Sequence, residues 1–121
     1  MIEINEQLEQ NWEKLLDTLK TVIGKRPEDL NGVLFLIGVQ ELGKGPLHFT
    51  KEQKQDLMHI ATCKVLSLSG FYTLEGLDKD GWPHWKLNEK LPRISLLSQE
   101  QVLREHVLRY FAEEAGINFV M

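Results

Sequence analysis

Apolar residues recur at spacings of three and four from Ile4 to Ile23: Ile4, Leu8, Trp12, Leu15, Leu16, Leu19, Val22 and Ile23. On a helix that spacing makes one apolar stripe. Glu6, Glu9, Glu13 and Asp17 fall on the other side, with acids early and Lys20 late, as the helix dipole favours. Gly24 supplies a left-handed C-terminal position and Pro27 blocks continuation, so a first helix is expected over about 4–23. The next run, Leu30, Val33, Leu34, Phe35, Leu36, Ile37, Val39 and Leu42, leaves almost no polar face. Periodicity does not separate a buried helix from a strand over Val33–Val39. The run continues to Leu42 before Gly43-Lys44-Gly45-Pro46 closes it, and this length favours a helix over about 28–42. Pro27-Glu28-Asp29 suits its first turn. A helix apolar all round belongs at the centre of a domain, so this element is expected to be the most buried.

Thr50 followed by Gln53 has the capping-box spacing and opens a third helix over about 51–69, with Leu57, Met58, Ala61, Val65 and Leu68 as its core stripe and Gly70 at its end. Ser98 and Gln101 repeat that spacing, and Leu97 with Val102 matches a hydrophobic staple. They predict a fourth helix over about 99–115 that buries Val102, Leu103, Val107, Tyr110 and Phe111 before Gly116. Between these helices, Phe71-Tyr72-Thr73-Leu74-Glu75 and Trp82 to Leu87 read as two strands joined by a turn at Asp78-Lys79-Asp80-Gly81. Pro83 confines the return strand to an edge. The expected fold is mainly α: a small four-helix bundle, one helical domain over 1–121, with a β-hairpin over about 71–87 between helices three and four.

The 121-residue chain is long enough to bury a core without disulfides or structural metal. Its net charge of −4 disfavours nucleic acid as a partner. Cys63 is the one cysteine, which points to a reducing compartment. No apolar stretch is long enough for a bilayer span, and the acidic start lacks the features of a secretory signal, so a cytoplasmic location is expected.

Candidate chemistry is sparse. Gly38 to Gly45 approaches the phosphate-binding pattern, but Gly45 stands where a hydroxyl residue is needed and Pro46 follows where a helix should begin. A helix C-cap and turn is the preferred reading. Asp78, Asp80 and Glu89 resemble a calcium loop in composition, with Trp82 and Pro83 in positions that loop cannot use. Asp56, His59 and Cys63 fall on one face of the third helix, opposite its core stripe, with Glu52 a turn earlier and Glu41 or His48 as further donors. Carboxylate, imidazole and thiolate are metal ligands, yet one helix rarely surrounds an ion. The plainer expectation is a packed, reduced Cys63 and a His59 bonded to a carboxylate or carbonyl. A Cys–His–Asp relay is disfavoured because a mid-helix cysteine has no free amides around it. His106 reads as a hydrogen-bonded core histidine, and no Glu-x-x-His pair offers di-iron ligands. No catalytic residue and no cofactor are assigned.

The aromatic segment Gly81-Trp82-Pro83-His84-Trp85 is the most distinctive feature. Tryptophan suits a core plug or a partner anchor. Trp85 shares strand parity with Leu87 and is expected to face inward, leaving Trp82 and His84 presented. Trp82, His84 and Trp85 are therefore the candidate partner-binding residues. The expected function is non-enzymatic: a protein-interaction or self-association module. The alternative is a metal- or small-ligand-binding protein centred on Asp56, His59 and Cys63. Three stretches, Ile37 to Gly43, Lys54 to His59 and Asp80 to Trp85, resemble a family of small bacterial proteins with no assigned function, over most of the chain. The resemblance implies a bacterial cytoplasmic origin and brings no site with it.

Overall fold

The run that periodicity leaves open, Val33 to Val39, is helical. A computed structural model of the chain describes residues 6–43, 48–88 and 96–114. In chain order its elements are α1 (Glu6–Ile23), α2 (Leu30–Leu42), α3 (Lys51–Ser67), β1 (Tyr72–Leu77), β2 (Pro83–Leu87) and α4 (Leu96–Glu113). The fold is mainly helical, with an antiparallel two-stranded hairpin between α3 and α4. Among the described residues no helix is long and apolar enough to cross a membrane. The expected helix start at Ile4, the turn at 44–46 and the stop at Gly116 lie outside the described residues, as does Glu89.

Contacts divide the chain into two compact units, one of Met1–Glu28 with Arg93–Met121 and one of Asp29–Pro92. In the first, α1 buries Leu8, Trp12, Leu15, Leu16 and Leu19 along the expected stripe. Val22 and Ile23 continue that stripe but are exposed, because none of the described residues covers the last turn of the helix. The chain turns at Gly24, whose φ of 84° suits a residue without Cβ. Arg26 then reaches back to Glu13 and Asp17. From α4 come the buried Val107, Tyr110 and Phe111, while Val102 and Leu103 are half-buried. The Arg104 guanidinium stacks 5.2 Å from the Trp12 ring centroid and bonds Glu9 at 3.1 Å, which ties α4 to α1. His106 is half-buried rather than core, and its expected hydrogen bond is made within its own helix, Nδ1 lying 2.7 Å from the Val102 carbonyl. The start of α4 differs from expectation. It begins at Leu96, so Ser98 lies inside the first turn and is not the N-cap.

In the second unit, α2 begins later than the proline suggested. Pro27 precedes the helix, and Asp29 is the cap, its side chain accepting from the Gly32 amide at 3.0 Å. Gly43, at φ 72°, closes the helix through its bond to the Val39 carbonyl. The midpoint of α2 is also special. A Cβ on Gly38 would lie 2.2 Å from the Leu57 carbonyl oxygen, so α2 and α3 cross with their backbones in contact there. The capping box of α3 forms as read: Gln53 N–H donates to Thr50 Oγ1 at 3.1 Å, and Thr50 N–H donates to Gln53 Oε1 at 2.9 Å.

The hairpin pairs Tyr72 with Leu87, Thr73 with Lys86, Leu74 with Trp85, Gly76 with His84, and Leu77 with Pro83. The register shifts between Leu74 and Gly76, so one residue of β1 is extra. That bulge moves Leu77 onto the face of Leu74, three positions away instead of two. Cross-strand partners share a face. One side of the hairpin is thus apolar throughout (Tyr72, Leu74, Leu77, Pro83, Trp85 and Leu87), and the other carries Thr73, Lys86 and His84.

Candidate functional site

The turn of the hairpin is organised by Asp78. Its Oδ1 accepts from the amides of Asp80 at 2.9 Å and Trp82 at 3.0 Å, and its Oδ2 meets His84 Nε2 at 3.0 Å. The His84 bond, followed by the Trp82 amide, holds the Asp78 carboxyl below its ordinary range. Turn closure is completed by the Gly81 amide on the Asp78 carbonyl at 3.0 Å. The turn reading of this segment therefore holds, and the Asp78 carboxylate is committed to backbone amides and His84.

Trp82 differs from expectation. It precedes β2, so strand parity does not govern it. Its ring packs against the core of Leu42, Leu57 and Ile60, together with Phe35, Val39 and Phe49. Phe35, Phe49 and Trp82 form a row of edge-to-face contacts, with centroids 6.1 and 6.4 Å apart. Trp82 is half-buried as a plug at the edge of that core. Trp85 is half-buried as well, and His84 is exposed. Trp85 Nε1 is buried and meets no acceptor among the described residues, so packing alone sets the position of that ring.

Cys63 also departs from its expected face. It is fully buried in α3, beside Val65 and Leu66, because the N-terminal half of the helix is covered on one side while its C-terminal half is covered nearly all round. The hairpin supplies the second cover, with the Tyr72 side chain close to the Cys63 sulfur. Burial pushes the thiol up to about 11, the opposite of what a nucleophile or metal ligand needs. Burial, then the neighbouring Cys63, likewise raises Tyr72. The partner of His59 is not the carboxylate or carbonyl expected but this sulfur, 3.5 Å from Nε2. Asp56 and His59 are exposed. Among the described residues no three His, Cys, Asp or Glu side chains are grouped to hold a metal ion.

Folding does join parts of two segments that sequence reading kept separate. A cleft of about 460 Å³ lies between α3, which contributes Gln53, Asp56, His59 and Ile60, and the hairpin, which contributes Asp78, Asp80, Trp82, Pro83, His84 and Trp85. Its volume is within the range of small-ligand sites. Asp56 and His59 thus share one hollow with Trp82, His84 and Trp85, and Cys63, which does not line it, touches His59. Gln53 and Asp80, read from sequence as a cap and a turn residue, also belong to it. No periodicity marks them, because their meeting depends on how the hairpin folds back on α3.

Comparison of the chain with protein-family models, with curated proteins and with solved structures finds no match.

Proposed function

We propose that this chain is a protein-interaction module whose contact surface is the apolar side of its hairpin. The partner is a second protein or a second copy of the chain. One observation supports the reading. In each of three cross-strand pairs, one member is half-buried while the residue opposite is a solvated leucine. Leu87 (44% exposed) faces Tyr72, Leu74 (47%) faces Trp85, and Leu77 (65%) faces Pro83. Scattered exposed leucines need no explanation, but three in register on one small face support the reading of a contact site. The bulge turns Leu77 to this face. Among the described residues the sheet has two strands, so each strand has an outer edge with no third strand on it, which adds pairing capacity. Of the residues singled out from sequence, Trp85 borders this surface, Trp82 supports it from the core edge, and His84 lies on the opposite face.

The native mass of the protein in extract of its own cells tests the reading. Wild-type protein is expected to elute above the monomer mass, and Leu77→Asp to fall to it. Leu77 is largely solvated, so that variant should keep its fold to within about 0.5 kcal/mol. Lys86→Glu, on the other face, should elute like wild type. A wild-type monomer, or a Leu77→Asp protein still in complex, would refute the proposal.

A further inference from the structure

The cleft shares Pro83 and Trp85 with this face but carries chemistry that the leucines do not explain. We infer that the hollow between α3 and the hairpin is a binding site for an organic cation, an alkylammonium or guanidinium group. Three carboxylates line it, from Asp56, Asp78 and Asp80, and no lysine or arginine does. Asp78 is bonded to two amides and His84, whereas Asp56 makes no hydrogen bond or ion pair among the described residues. A neutral donor settling here returns a hydrogen bond to Asp56 but no charge, and an anion is repelled by the carboxylates. A bare metal ion lacks its donors, since no three such side chains are grouped. The rest of the wall is mixed: Gln53, His59 and His84 are polar, and Ile60, Pro83 and the indoles of Trp82 and Trp85 are apolar. Apolar surface with aromatic rings beside a carboxylate is the environment that holds an amine carrying hydrocarbon.

The three indole N–H signals in a nitrogen-15 correlation spectrum of the intact chain provide the test. Trp82 and Trp85 line the cleft, while Trp12 is buried in the other unit and serves as an internal control. Titration with n-butylammonium is expected to move the Trp82 and Trp85 signals saturably and to leave Trp12 still. Equal concentrations of 1-pentanol and butyrate should not. Asp56→Asn, a change at an exposed position, should weaken the ammonium by roughly three- to tenfold, the size of one partly solvated charge contact. A short lysine peptide that binds at least tenfold more tightly than butylammonium would assign the cation to a polypeptide, and equal affinity would assign it to a free amine. Pentanol moving the same two signals with equal affinity would overturn the inference, as would ammonium moving none of them. Neither of those results bears on the leucine face, whose failure is read from the Leu77→Asp mass.

Discussion

Burial keeps the Cys63 thiol protonated to about pH 11 in the folded protein, against an ordinary value of 9.0. Between those values the unfolded chain has lost a proton that the folded chain keeps. The stabilisation is therefore complete below about pH 9 and lost as pH rises through about 11, with a span of about 2–3 kcal/mol for a shift of two units. Urea midpoints of wild type and Cys63→Ala, measured from pH 8 to 11, check this. Wild type should lose more stability over that window than the variant, and native Cys63 should react with a thiol reagent far more slowly than the unfolded chain. Parallel losses in the two proteins would show that the thiol is not shielded. The face of Cys63 was not legible in the sequence. Its spacing from Asp56 and His59 is helical, but a helical wheel shows only which residues share a side, and two different elements cover α3. His106 was legible because its bond is made within one turn of its own helix.

At the scale of elements, local signals performed well where the partner group is also local. The Thr50–Gln53 box and the Gly43 cap are each complete within a few residues. Ser98 and Gln101 show the limit of the same signal, since that spacing also fits inside a helix that starts earlier. The hairpin turn was readable from Asp78 to Gly81, whereas the bulge was not, because an extra residue has meaning only against a paired strand. Gly38 is the clearest case of a residue with a long-range reason. In isolation it costs its helix about 1 kcal/mol relative to alanine. It is retained where the α3 backbone comes too close for any Cβ. Gly38→Ala should therefore destabilise the protein despite better helix propensity. Overpacking costs typically about 1–3 kcal/mol, and the obstructing atom here belongs to the backbone. A lower urea midpoint is the expected result. An unchanged or higher one would mean that the two helices do not touch at this point.

For the whole molecule, the sequence gives the number and order of the elements but not which of them meet. Apolar periodicity tells each helix to bury a stripe without naming what covers it. That is why Asp56, His59, Trp82, His84 and Trp85 looked like two sites when Asp56 and His59 share one cleft with the tryptophan segment. It is also why Trp82, read as presented, proves to close the core of its own unit. The proposed interaction surface depends on the same long-range fact: the hairpin exposes leucines because α3 covers only part of its apolar side. Photo-crosslinking from single positions inside living cells tests this most directly. A photoreactive residue at Leu77 or Leu74 should give one discrete adduct, at twice the chain mass for a second copy or at another fixed mass for a different protein. The same residue at Thr73 or Lys86, on the polar face, should give none. Equal adducts from both faces, or none from the leucine positions, would contradict the account.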